Sequence, residues 1–530
     1  MSKKLLIAPP VSMRTRLIAF LPCVLLLLVL CFELFKGLVV AHAAYPTVPN
    51  TIFLAGTRAA FTITTAGAGG SISYSVTDLS GTTITTGQSG VTNRQVNLTL
   101  PVLGNGYYVL TIDDHTVQSS VSQAISFAVV APFTPVADSP FGVGVHFTGG
   151  NNPGLTPLIA GMGAGLVRDD ASWTMIERAP GRYDFGAFDP YMQMLQQNNV
   201  APLLILDYND RFYDNSQTPY DSAGFTAFAN YAKALVSHYG PQLKEVEVYN
   251  EYNALLSNGP CARKASCYVE LLRYTYQAIK AVRPDVTVIG GAAFGVDLSW
   301  FGQVFQAGGL RYMDVVSDHP YTAFSLVSPE LGGTQDDMLK LGNLVKQYNG
   351  GRPKPIWITE LGWSSSFMHV SERGQADYLV RGAVLAFTAG VQKFFWYDLL
   401  NDGSDSTRNE QNFGLLRRPD AAGRYQPKPA YVAYAVLTRM LAHQAFVGSD
   451  AVGWGVYDER FTNNLRVLWS TPGNRTVIVT TNDPVTVTSM TGGVQTYHPV
   501  DGHFALNLSP APVYLQGNVS KVSWCSLSCS

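Results

Sequence analysis

A closed (β/α)8 TIM barrel of the α/β class, flanked by an N-terminal β-sandwich and a small C-terminal β domain, is the fold this sequence predicts, on three observations. Between residues 136 and 443, short apolar runs alternate eight times with amphipathic helical stretches, the signature of parallel α/β construction. Before and after that region the texture is short alternating strands separated by turn residues. Within it, the side chains able to carry chemistry cluster at the C-terminal ends of the apolar runs, where such a barrel builds its site.

The bulk numbers agree with this division. A chain of 530 residues exceeds one ordinary core, and a barrel of this type takes about 250 to 300 residues. Charged residues make up 14% and the net charge is -2, so nucleic acid and anionic membrane surfaces are poor partners. Aromatics reach 12%, with 27 Tyr and 8 Trp, which suits stacking on sugar rings and equally suits a large β-rich core. No Cys-x-x-Cys pair or His-x-x-x-His spacing occurs, which argues against zinc, and nothing calls for a cofactor.

Taken in order, residues 1–44 read as a targeting segment. Lys3, Lys4, Arg14 and Arg16 precede an apolar run from Leu17 to Phe32, and Ala41-His42-Ala43 is a small-x-small cleavage signature. The expectation is export, with the segment either cleaved or kept as a single-pass anchor, the chain's only link to a membrane. Residues 45–135 form the sandwich, with strands at Phe61–Thr64, Ser71–Val76 and Gly106–Ile112; a brace for the barrel is preferred over a sugar-binding module. Pro132, Pro135 and Pro140 mark the boundary.

The barrel occupies 136–443. Its strands are read at Phe141–Phe147, Ala164–Arg168, Ala201–Tyr208, Val246–Glu251, Val286–Gly291, Met313–His319, Ile356–Glu360 and Val391–Tyr397. Helices are read at Phe225–His238 and Tyr268–Val282, the second stopped by Arg283-Pro284, and a closing helix runs to His443. Strands return at Leu465–Trp469, Thr476–Thr480 and Val513–Leu515 in a β domain over 444–518, and 519–530 is a Ser-rich tail holding Cys525 and Cys529. Cys261 and Cys267 flank a short polar loop, so an oxidising compartment would join them.

The stretch Glu247-Val248-Tyr249-Asn250-Glu251 ends a strand on an Asn-Glu pair, and Ile356-Trp357-Ile358-Thr359-Glu360 ends another on a carboxylate followed by Gly362. Two glutamates at two strand ends are what chemistry at a sugar centre requires, one to protonate the leaving oxygen and one to attack. His146, Arg168, Asp207, Tyr208, Asn250, Glu251, His319, Tyr321, Glu360 and Trp396 all fall at predicted strand C-termini. Two other signals carry nothing. Gly161-Met-Gly163-Ala-Gly165 is followed by a strand where a phosphate-binding helix should begin, and Asn401-Asp402-Gly403-Ser404-Asp405 misses the calcium-loop spacing and reads as a rim loop.

With these residues placed, residues 141–443 resemble glycoside hydrolase clan A, and most of all family 39 and related bacterial exopolysaccharide glycosidases. Asn250-Glu251 is similar to the clan's acid/base motif, and Thr359-Glu360-Leu361-Gly362-Trp363 to its nucleophile motif. The resemblance implies a retaining O-glycosyl hydrolase with Glu251 as acid/base and Glu360 as nucleophile. It further implies Arg168 and Tyr321 holding Glu360, Asn250 on the sugar 2-hydroxyl, His319 steadying the acid/base, and Trp396 as the floor beneath the sugar. Trp173, Trp363, Tyr208, Tyr249 and Tyr252 are candidate subsite walls, with Asp207 and His146 as further substrate contacts. Asp207-Tyr208 stands where several clan families carry a histidine. The implied substrate is a polysaccharide cut internally; exo action on oligosaccharides and a non-catalytic carbohydrate-binding scaffold are the alternatives.

Overall fold

Eight parallel strands close into a barrel in the computed structural model, which describes residues 48–524 apart from 119–120, 137, 323–326 and 368. The targeting segment and the Cys525 and Cys529 tail lie outside the described residues. The barrel strands are Phe141–Gly144, Leu166–Ser172, Ala201–Asp207, Glu245–Val248, Thr287–Phe294, Val315–His319, Ile356–Leu361 and Lys393–Trp396. Each pairs in parallel with the next, and strand eight closes on strand one through Phe394 opposite Phe141. All eight match predicted runs, with shifts at the ends.

Side-chain alternation along each strand sorts residues between bore and shell. Leu166, Leu203, Ile289, Val315, Trp357 and Phe395 form a buried cluster made only of barrel-strand residues, filling the bore as such barrels require. Lower in the bore Lys393 pairs with Glu245 at 2.7 Å. The residues of opposite parity face helices such as Ser222–Tyr239, begun by the Asp221 side chain accepting from Ala223 N and Gly224 N, and Ala265–Val282.

Before the barrel, a five-stranded sheet and the pair Arg58–Thr64 with Gln95–Val102 form the sandwich around Phe61, Leu110 and Phe127. It is not wholly antiparallel, because Ile52–Leu54 runs parallel to Ala128–Val130 along its edge. After the barrel, sheets of six and three strands form a second sandwich. One boundary needs correction: Lys521–Trp524 belongs to this sandwich and not to a tail, pairing with Val477–Thr480 and burying Val522. Among the described residues no helix is long and apolar enough to cross a membrane.

Candidate active site

A cavity of about 390 Å³ opens at the C-terminal ends of the barrel strands. Arg168 is its organising charge. The side chain is 5% exposed, and each guanidinium nitrogen is committed: Nε donates to Glu247 Oε2 at 2.7 Å, Nη1 to Glu360 Oε2 at 2.8 Å, and Nη2 to Asn250 Oδ1 at 2.7 Å. Burial opposes that charge, but Glu247 and Glu360 more than offset it and the Arg168 pKa is raised. Burial likewise works against the charge of Glu247, and Arg168 overcomes it, leaving that carboxyl below its ordinary value. Strand parity explains the pairing, since Arg168 on strand two and Glu247 on strand four both point into the bore. Glu247 stands inside the strand-four motif, yet sequence reasoning assigns it no role; acidic residues alternating with valine on a barrel strand are the signal that could have found it.

The second oxygen of Glu360 accepts from the Tyr321 hydroxyl at 3.1 Å, so both are held. His319, fully buried, sits between the glutamates: Nδ1 lies 3.0 Å from Glu251 Oε1 and 3.9 Å from Glu360 Oε2. Its Nε2 lies 3.3 Å from Arg168 Nη2. The same nitrogen lies 3.1 Å from Thr359 Oγ1, so both ring nitrogens are engaged and the imidazole is fixed in orientation beside Glu251. One carboxylate oxygen each of Glu251 and Glu360, with a His319 ring nitrogen, lie within 4.8 Å of one another.

Regular strand four stops at Val248, three residues short of the predicted end. Tyr249 and Glu251 adopt left-handed backbone, φ 68° and 47°, a conformation costly for residues with a Cβ. Alternation is broken there, which is how two consecutive residues, Asn250 and Glu251, both line the cavity. Strand seven has its own device. A Cβ on Gly362 would lie 2.0 Å from the Tyr397 carbonyl oxygen, so only glycine lets the chain after Glu360 pass so close to strand eight.

Of the predicted contacts, His146, Arg168, Tyr208, Asn250, Glu251, Tyr321 and Glu360 line one cavity, with His319 buried behind the glutamates. The others do not reach it. Trp396 is fully buried with its indole donating to Phe413 O at 3.3 Å; Lys393, Phe395 and Tyr397 share the inward parity, so Tyr397 takes the place on the wall. Trp363 stacks on Trp396 and donates to Val327 O. Trp173 is sandwiched by Tyr213 and Tyr231 and donates to Glu177 Oε2, a brace in the shell. Tyr249 is bonded to Thr218 and Tyr252 packs on Tyr268, both buried. Asp207 is buried off the wall, where burial and then the Asp170 charge push its pKa up; its neighbour Tyr208 lines the cavity in its stead. Asp170, Leu256, Phe294, Tyr397, Glu410 and Phe413 also line the wall and carry no motif. Burial, then the charges of Glu360, Asp402 and Glu251, raise the pKa of Glu410. A disulfide joins Cys261, in the loop following Glu251, to Cys267 in the first turn of the helix Ala265–Val282.

No family model and no curated protein matches the sequence. Among solved structures, the chain is similar to a family 39 glycoside hydrolase from the gut symbiont Bacteroides cellulosilyticus WH2, with a TM-score of 0.75 and 23% identity over 89% of this chain and 100% of that one. It is also similar to a monomeric β-xylosidase from Caulobacter crescentus CB15, with a TM-score of 0.51 and 15% identity over 72% and 97%. A family 30 subfamily 8 xylanase from Clostridium acetobutylicum gives a TM-score of 0.51 and 13% identity over 71% and 95%. The fold is that of the clan A glycoside hydrolases. These likenesses are of fold, and the first of them, over 89% of the chain, extends beyond the barrel into the flanking sheets.

Proposed function

We propose that the chain is an exported retaining glycoside hydrolase that cuts a polysaccharide internally. The observation that carries this is the facing pair Glu251 and Glu360, with oxygens within 4.8 Å in one cavity. Retaining enzymes hold their carboxyl groups about 5 to 5.5 Å apart, inverting ones about 6.5 to 9.5 Å to admit a water.

In the first step a Glu360 oxygen bonds to the anomeric carbon as the glycosidic C–O bond breaks, and Glu251 gives its proton to the departing oxygen. In the second, Glu251 takes a proton from water, whose oxygen displaces Glu360 and restores the enzyme. Arg168 and Tyr321 grip both oxygens of Glu360 and so aim it. Among the described residues Glu251 is bonded through Oε1 alone, to His319, leaving Oε2 for the leaving group. Asn250, turned by Arg168, presents its amide at the same wall. Export rests on the apolar N-terminal segment and the small-x-small signature, and internal cutting is the reading of the sequence, in which no strand-end loop is obviously long enough to close a pocket.

The test is turnover of a panel of aryl glycosides and polysaccharides. Glu360→Gln is expected to lower kcat by roughly a thousandfold or more. Glu251→Ala keeps its first step on substrates with good leaving groups and regains turnover when azide is added. Full hydrolysis by Glu360→Gln would sink the assignment, and monomer as the sole early product from a polymer would replace internal cutting by exo action.

A further inference from the structure

We infer that the chain chooses its substrate on one side of the scissile bond: hydrogen bonds read the sugar that Glu360 attacks, while Phe294 takes the leaving-group sugar by shape. This rests on the glycosidase reading and divides its site in two. Asp170, Tyr208, Asn250, Tyr397 and Glu410 offer hydrogen bonds from the ends of strands two, three, four and eight and from the loop after strand eight. From Glu251 to Tyr321 the wall is of another kind. The described lining residues between those two are Leu256 and Phe294, both apolar and open, 41% and 40% exposed. A leaving group begins at the oxygen that Glu251 protonates. Leu256 lies on the loop that follows Glu251, and Asn253 ties Phe294 to the same loop: Phe294 N donates to Asn253 Oδ1 at 2.9 Å, and Asn253 Nδ2 donates to Phe294 O at 3.0 Å. The apolar pair thus stands on the leaving-group side.

Phe294 reaches that wall through a break in alternation. Ile289 on the same strand fills the bore, so plain alternation would turn Phe294 to the shell. A bulge prevents this. Pairing with strand six steps from Gly290 opposite Val316 to Ala293 opposite Asp318, three residues against two, through left-handed backbone at Gly291 and Ala292, φ 112° and 41°. The extra residue re-aims Phe294 into the cavity. Its polar groups are provided for: Gly291 N donates to Tyr268 Oη at 2.7 Å, Ala292 N to Ser317 Oγ at 2.9 Å, and Ala292 O accepts from Glu251 N at 2.8 Å. One device therefore holds the backbone of the acid/base residue and aims the ring beside it. A positive φ at a residue with a Cβ is costly, and an open phenylalanine forgoes burial; a ring that substrate covers accounts for both.

The ring lies near-parallel to that of Tyr321, with centroids 6.2 Å apart and 29° between the planes, so its orientation is set before substrate arrives. A pyranose carries C–H groups on its faces and hydroxyls around its edge, and an aromatic face gains contact with the first without reading the second. The two kinds of wall differ in how sharply they discriminate. A site that hydrogen-bonds a substrate hydroxyl rejects the analogue lacking it by about 10,000-fold or more, whereas an apolar pocket separates close relatives by only about 10- to 200-fold. In a polymer of mixed sugars the bond cut is then the one leaving the anomeric carbon of the selected residue, whatever sugar comes next.

The panel of glycosides identifies the glycone, which is then presented to the full-length chain in two forms. One is its glycosyl fluoride, whose leaving group has no ring; the other is a set of oligosaccharides that differ only in the leaving-group sugar, glucose, galactose, mannose or xylose. Across that set the wild-type kcat/KM is expected to vary within about tenfold, whereas inverting one hydroxyl of the glycone should cost at least about a hundredfold. Phe294→Ala should lower kcat/KM on the oligosaccharides roughly tenfold more than on the fluoride. Phe294→Tyr, which keeps the face, should hold the wild-type ratio of the two substrates, and Phe294→Leu, which keeps apolar bulk without a face, should not. Equal losses on both substrate types, the result of a merely structural role, would overturn the inference. So would leucine serving as well as tyrosine, or a choice among leaving-group sugars sharper than that among glycones. A wild-type chain that cleaves no glycoside removes the hydrolase reading and this inference together; any of the three preceding results in an active chain removes this inference alone.

Discussion

Arg168 joins Glu247 from below, Glu360 from the front and Asn250 from the side, so a single guanidinium sets the positions of one buried carboxylate and two cavity groups. A planar fork suits that task; a lysine, a point charge with no fixed plane, does not. The same reasoning from atom positions separates two adjacent aromatic residues of strand eight. Trp396 is core, with its indole bonded to Phe413 O, whereas Tyr397 is wall. Trp396→Phe is therefore expected to cost about 1 to 3 kcal/mol of stability, seen as a lower Tm, with KM almost unchanged. Tyr397→Leu should raise KM roughly tenfold with a much smaller effect on Tm. Thermal melts and steady-state kinetics on both variants decide it, and the reverse pattern would return the tryptophan to the sugar's side.

At the scale of elements, the helix Glu372–Thr388 carries a prediction in pH. Asp377 on that helix is 7% exposed, and among the described residues its Oδ1 has no partner. Burial raises its pKa to about 6, with Arg381 and Arg373 acting in the opposite direction. Because the folded value exceeds the ordinary 3.8, the folded chain binds the extra proton between about pH 4 and 6 and loses stability as pH rises through that window. Asp377→Asn removes the penalty. Its gain should be near zero at pH 3.5 and reach on the order of 2 to 3 kcal/mol above pH 7; an equal gain at both ends of a pH series of denaturant melts would refute the cause.

The barrel strands and the helices Ser222–Tyr239 and Ala265–Val282 were legible because apolar periodicity and chain breakers such as Arg283-Pro284 are local signals. What could not be read was which face a strand-end residue shows. A positive φ at Tyr249 and Glu251 shifts the alternation at strand four, and the parity that puts Tyr397 rather than Trp396 in the bore is set by strands seven and one on either side. Asp170 and Glu410 reach the wall through a neighbouring strand and a distant loop, with no sequence motif of their own. The strand Lys521–Trp524 was hidden in a Ser-rich context whose single buried position is Val522.

For the molecule as a whole, the question is whether the sandwiches are passengers. The largest apolar cluster runs without interruption from Val48, Tyr107 and Ala128 through the barrel shell to Trp469 and Tyr514. Polar ties run along the same seams. Arg417, after strand eight, donates to Ser126 Oγ, to Tyr107 Oη and to Glu372, while Gln426 accepts from Ser126 N. On the other flank Trp469 Nε1 donates to Glu330, the carboxylate that also pairs with Arg381 of the helix Glu372–Thr388. Removing residues 48–130 would therefore uncover part of the closing helix Pro429–Leu441, which packs on the strands Gly106–Asp114 and Val121–Val130, and leave Arg417 without two of its partners. A domain joined to its neighbour by a polar, linker-like seam unfolds separately, whereas one sharing a core does not. The expectation is one cooperative transition for the whole chain by calorimetry, and a chain starting at residue 131 that is insoluble or lacks the near-ultraviolet signal of packed aromatics. If that shortened chain folds, melts cooperatively and keeps its turnover, the sandwich is an independent module, and the brace it provides to the strand-eight side of the cavity is not needed.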